Sequence, residues 1–253
     1  MVSIDFQPTT LVSFLLVMAR LLAVFFIAPP FSGAGVPVQV RLALAGSIGL
    51  LVAPQQNVDV SLDVLPLMMA LVYQVVVGTA FGYLVNVLLS APVVAGTLVD
   101  HLTGFSAATL FDPFTQSASS PAGRVNQLVA LVILLVLEGH LLIVRGVLRS
   151  YEAAPLAGLN LDALAAGITE AVGQLIVAAI EISLPVTAAL LMAEVVMGLA
   201  AKAAPKLNVM VVGFAVKSAV FMVAFSLSLP LLVNAVSTLL TRSLRWAMAI
   251  SGV

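Results

Sequence analysis

The sequence predicts an all-α integral membrane protein of about six to seven apolar helices, arranged as kinked helical hairpins. Three observations predict it. Hydrophobic residues make up 62% of the 253 and charged residues only 8%, with a mean hydropathy of +1.22. A soluble domain carries about 25% charged residues, so this chain cannot cover a globule with polar surface and must face lipid. The apolar residues fall in blocks of membrane-spanning length. Prolines and glycines punctuate those blocks, at Pro29-Pro30, Pro37, Pro54, Pro92, Pro121, Pro155, Pro205 and Pro230, each removing a backbone donor and favouring an end or a kink. A net charge of −1 implies no nucleic-acid partner. The absence of cysteine excludes disulfides and thiolate metal sites.

The start, MVSIDFQPTT, holds an acid and no base, whereas a signal peptide needs a positive n-region. Leu11–Ala28 is therefore expected to remain as a true span, with Arg20 in mid-segment. Val38–Ala53 follows; at 1.5 Å per residue it reaches roughly 24 Å, short for a hydrocarbon core of about 30 Å. Leu62–Leu89 is a third block and Val125–Arg149 a fourth. Leu164–Ala201 is too long for one straight span and contains Pro185. Leu207–Leu229 is the sixth block, and Leu231–Ala249, ending in Arg242, Arg245 and Trp246, adds a more amphipathic seventh piece. Such uneven lengths suit a chain that packs against partners rather than a regular bundle. With no internal repeat, low-complexity run or soluble domain, residues 1–253 read as one membrane domain. The positive-inside rule places Lys202, Lys206, Arg242 and Arg245 together in the cytoplasm if Leu207–Arg245 is a hairpin returning at Leu229-Pro230.

Ionisable residues inside apolar segments are few, and each is a candidate for function. Glu138 and Arg145 lie two helical turns apart on one face, with Arg149 continuing it at i+4. They form either a buried polar seam or a helix end whose arginines reach the headgroups. Glu194 and Lys217 lie eleven residues before and twelve after Pro205, so a hairpin brings them to similar depth as an ion pair. An unpaired charge there would cost roughly 2.5–3.5 kcal/mol. Asp100-His101 reads as a solvated helix end, a proton relay being the alternative. Gly78 and Gly82 have the spacing of a close helix–helix contact. No H-E-x-x-H, G-x-S-x-G or P-loop motif is present, so neither enzymatic activity nor a cofactor or metal is expected.

The segment Gly104–Arg124, GFSAATLFDPFTQSASSPAGR, is rich in Phe, small polar residues and Pro. Non-helical backbone is tolerated at membrane depth only inside protein or beside a water-filled cavity. The loop therefore lies in an aqueous compartment, or it lines or closes a path.

Four stretches in order carry a resemblance: ARLLAVFFIAPPFSGAGVPVQVRLALA (Ala19–Ala45), QVVVGTAFGYLVNVLLSAPVVAGTLVDHLTGFSAATLFDP (Gln74–Pro113), EGHLLIVRGVLRSYEAAPLA (Glu138–Ala157) and LAAKAAPKLNVMVVGFAVK (Leu199–Lys217). Together they resemble the FliR family of flagellar type III export-apparatus membrane proteins and its injectisome counterparts (SctT, YscT, SpaR). Gly139-His140 is more similar to flagellar members. Glu138 stands where Asn is common, Lys206 replaces a frequent Gln, and the Gly usual after Asp112-Pro113 is missing. The resemblance implies an inner-membrane subunit of the flagellar basal body. FliP- and FliQ-like partners, with FlhB- and FlhA-like export proteins nearby, would build with it a helical pore assembly for unfolded export substrates. It also implies that the loop 105–121 plugs the channel, with Phe105, Leu110, Phe111 and Phe114 as the seal, Asp112-Pro113 fixing the turn and Pro121 at its end. An injectisome gate subunit, an independent small-solute channel and a purely structural scaffold are the alternatives.

Overall fold

Lipid offers a backbone no hydrogen-bond partner, so apolar blocks must satisfy their own amides and wind into helix. The computed structural model describes residues 8–33, 35–56, 63–105, 120–153, 161–204 and 208–250, and among these every regular element is helical. In order they are α1 (Pro8–Ile27), α2 (Val38–Val52) with a 3-10 turn at Ala53–Gln55, α3 (Val64–Leu89), α4 (Ala91–Thr103), α5 (Pro121–Val136), α6 (Gly139–Ala153), α7 (Leu161–Ala203) and α8 (Val209–Ile250). Among the described residues five stretches are long and apolar enough to cross a membrane, or six if α5 and α6 count as one broken span.

Three boundaries differ from the sequence reading. A separate helix, α4, follows α3 after Ser90 alone; Pro92 cannot donate to the Leu88 carbonyl, which ends α3. The block Val125–Arg149 is two helices. Glu138 sits between them at φ 54, a left-handed conformation that costs a non-glycine residue roughly 1–2 kcal/mol. Its N–H donates to the Leu135 carbonyl, and its carbonyl accepts from Leu141 and Leu142, starting α6. The hairpin expected at Leu229-Pro230 does not form, because α8 runs unbroken through Pro230, as α7 does through Pro185. Serine hydroxyls near both prolines donate to carbonyls one turn back, Ser183 to Ile180 and Ser228 to Phe225, the kind of local repair that lets membrane helices carry proline.

The chain forms two compact units. The first comprises Met1–Leu88, Leu135–Val172 and Leu240–Val253. Its core is formed by Leu16, Leu21, Val24 and Phe25 of α1, Leu84 and Leu88 of α3, and Ile143 and Val147 of α6. Helix association in lipid rests on close packing and polar ties rather than on the hydrophobic effect. Gly78 and Gly82 supply the packing: a Cβ at Gly78 would lie 2.5 Å from the Arg20 carbonyl oxygen, and one at Gly82 3.2 Å from Ile27. The second unit comprises Leu89–Leu134 and Gly173–Leu239. Val99, Ala122, Val186, Leu190 and Phe221 form a core cluster there. Large apolar side chains elsewhere remain open, Leu227 at 77% exposure among them, as expected where a chain meets lipid or other subunits.

Candidate functional site

The site is the frame around the segment 106–119, built from α4 and α5 of the second unit. Ser120-Pro121 starts α5 with a hydroxyl side chain at the cap and a proline whose missing N–H costs nothing there. The Ser120 hydroxyl accepts from the Gly123 N–H at 2.8 Å and donates to Asp100 Oδ2. The Ala122 N–H donates to the same carboxylate, 3.1 Å from each oxygen. Asp100 is 1% exposed. Its negative charge faces the first turn of α5, where the helix dipole favours an anion. Its own carbonyl accepts from the Gly104 N–H, closing α4, with Gly104 at φ 85. One residue thus ends α4 and caps α5.

The same two helices meet twice more. A Cβ on Gly96 would fall 2.5 Å from the Gly123 nitrogen, so this backbone approach requires glycine at 96, while one on Gly123 would meet the Ser120 hydroxyl oxygen at 2.6 Å and the Val93 carbonyl at 3.2 Å. One turn further, Asn126 Nδ2 donates to the Pro92 carbonyl at 2.9 Å. Contacts that step back along α4 (Asp100, Gly96, Pro92) and forward along α5 (Ala122, Gly123, Asn126) define an antiparallel hairpin. The segment 106–119 joins its pinned ends.

Helices α7 and α8 form a second antiparallel pair. Lys217 Nζ lies 3.2 Å from Glu194 Oε1, with side chains 19% and 55% exposed respectively. Four, four and three residues back along α7 are Leu190, Val186 and Ser183. The same steps forward along α8 reach Phe221, Phe225 and Ser228. Phe105 packs edge-on against Phe214 and Phe221, each centroid 5.7 Å away, and Phe221 stacks on Phe225 at 5.6 Å. The first of the expected seal residues is thereby anchored on α8.

A model describing bacterial export proteins, family 1, matches residues 11–243. The chain belongs to that family. Its relatives include the flagellar biosynthetic protein FliR of Escherichia coli (strain K12), 28% identical over 71% of this chain and 70% of the relative. The protein of the same name from Bacillus subtilis (strain 168) is 27% identical over 74% of each, and that of Pectobacterium carotovorum subsp. carotovorum 26% over 71% and 70%. The chain is thus a multi-pass membrane member of the bacterial export proteins.

In this family member Leu110, Phe111, Asp112, Pro113 and Phe114 lie outside the described residues. Pro121 is the first residue of α5. Glu138 does not share a helical face with Arg145, because it lies in the break before α6; Glu138, Arg145 and Arg149 are all exposed, so no buried seam joins them within the chain. Asp100 is a buried clasp rather than a solvated helix end. The paired roles of Gly96, Gly123 and Asn126 carry no local sequence signal, whereas the Ser-Pro start of α5 does.

A polar centre in the first unit also went unused in the sequence reading. Arg20, 1% exposed, donates to Gln74 Oε1 at 2.6 Å and to the Ser150 carbonyl and hydroxyl at 3.0 and 3.2 Å. Its guanidinium lies over the Tyr151 ring, 4.4 Å from the centroid, and the Tyr151 hydroxyl donates to the Val17 carbonyl at 2.9 Å. One cation therefore ties α1, α3 and α6 together. Its signal was in plain view: an arginine in the middle of an apolar span.

Proposed function

We propose that this chain is a subunit of the flagellar type III protein export gate of the inner membrane. With FliP- and FliQ-like partners it forms a channel for unfolded substrates, which the segment 105–121 plugs at rest. FlhB- and FlhA-like proteins complete the export apparatus around it. The observation that carries this reading is the α4–α5 frame in a bacterial export-family chain. Asp100 fixes both ends of a Phe-bearing segment, with bonds to Ser120 and Ala122. A frame whose own contacts lie at residues 92–105 and 120–126 keeps its helices in register when substrate displaces the segment between them. The names of the FliR relatives support the flagellar over the injectisome assignment.

Ion leak tests the reading. Cells co-expressing this chain with FliP- and FliQ-like partners are compared with cells carrying a deletion of Leu110–Ser119, which leaves the Ser120 cap in place. A large leak in the deletion, present only with the partners, is the expected result. No leak from an assembled complex makes the segment a scaffold contact, and leak from this chain alone makes it an independent channel.

A further inference from the structure

The α7–α8 hairpin carries the same tripeptide twice, Ser183-Leu184-Pro185 and Ser228-Leu229-Pro230. The matched register derived above sets the two serines opposite each other. Pro185 leaves the Glu181 carbonyl, and Pro230 the Ser226 carbonyl, without its helical donor. In that register Pro185 lies level with Ser226, and Pro230 with Glu181. Both helices are therefore weakened over one shared stretch.

A cavity of about 10 Å³ lies at this level, lined by Asn126, Ser183 and Ser228 among Phe221, Phe225 and aliphatic side chains. Its polar lining has unused capacity. Ser183 and Ser228 each spend the hydroxyl proton on a carbonyl one turn back, which leaves their oxygens as acceptors. Asn126, 6% exposed, donates one Nδ2 hydrogen to the Pro92 carbonyl. That carbonyl only accepts, which fixes the nitrogen end of the amide. Among the described residues the Asn126 Oδ1 and its second N–H make no bond.

We propose that this cavity is a binding site for a single water molecule, and that the hydrated Ser-Leu-Pro pair is a hinge of the α7–α8 hairpin beside the α4–α5 frame. One water needs roughly 10–15 Å³ and two to four polar partners. The site offers that space, three acceptors and one donor. Without the water, an amide and two hydroxyl oxygens would line an otherwise apolar cavity unpaired on that side. With it, the three helices share a mobile polar link where α7 and α8 each lack a helical bond.

Radiolytic hydroxyl labelling of the purified complex in ¹⁸O water tests this, independently of any channel or plug, because label reports water next to a side chain. Phe221 and Phe225 are the reporters, and Phe25, fully buried in the first unit, is the dry control. The expected result is severalfold more label on Phe221 and Phe225 than on Phe25. The excess should fall in Asn126→Leu and in Ser183→Ala/Ser228→Ala, a double variant that keeps the Asn126–Pro92 bond. Reporters labelled no more than Phe25, or labelled equally in wild type and the serine variant, would overturn the site. For the hinge, Pro185→Ala/Pro230→Ala should slow amide exchange severalfold around residues 181–185 and 226–230. Unchanged exchange there would overturn the hinge.

Discussion

Replacing Asp100 by alanine should unfasten the start of α5 while leaving the rest of the fold in place. The carboxylate accepts two hydrogen bonds, from the Ser120 hydroxyl and the Ala122 N–H, and hydrogen bonds to a charged group contribute about 1.5–3 kcal/mol each. Taking the lower figure, the alanine variant loses about 3 kcal/mol of local stability, and at 1.4 kcal/mol per tenfold the clasped state loses roughly 100-fold against the open one. Asp100→Asn keeps one acceptor and no charge, so its loss should be near 1.5 kcal/mol, or about tenfold. Hydrogen exchange read by mass spectrometry on the assembled complex measures this directly. The Ala122 and Gly123 amides should exchange about 100-fold faster in Asp100→Ala and about tenfold faster in Asp100→Asn, on the scale of these local free energies. Amides near Ile143, in the other unit, should not change. If Ala122 and Gly123 stay as protected in Asp100→Ala as in the wild type, the carboxylate is not the clasp and the account of the frame is wrong.

Arg20→Leu removes every bond made by the buried guanidinium. A loss of two of them, about 3 kcal/mol, should lower the melting temperature of the complex by about 6–12 °C. Arg20→Lys should fall between, since an ammonium cannot reproduce the planar fork; equal melting points for all three would contradict the tie. Gly78→Ala should destabilise more than Gly82→Ala. The first methyl meets backbone at 2.5 Å and the second meets its neighbours at 3.2–3.3 Å, and overpacking costs about 1–3 kcal/mol; thermal unfolding ranks them. Lys217→Glu should lower the yield of assembled complex, and adding Glu194→Lys should restore it. Glu194→Gln alone leaves Lys217, 19% exposed, without its carboxylate partner, and should lower the yield less than Lys217→Glu does.

The helical class was legible because composition and block length act through a single constraint, the absence of backbone partners in lipid. The Glu194–Lys217 register was legible because two charges flanking one turn constrain a hairpin arithmetically. Boundaries at proline were less so. Pro92 ended a helix while Pro185 and Pro230 did not, and the residue type alone does not separate the three. The break at Glu138 came from a left-handed residue ahead of glycine, inside a run that hydropathy reads as continuous. In the frame, Asp100 was visible as a charge, but its burial depends on Ser120 and Ala122 twenty and more residues away. Gly96 matters because the Gly123 backbone lies against it, and a contact between distant residues leaves no mark on either neighbourhood alone.

The clasp has a consequence for how the chain can vary. Bringing two chain ends together normally costs entropy that grows with the length between them. Here that closure is enforced by Asp100, Gly96–Gly123 and Asn126, whatever the intervening chain contains. Doubling its length should add only about 0.6 kcal/mol. The frame therefore works as a socket. Helices α4 and α5 keep their register through contacts that all lie outside residues 106–119.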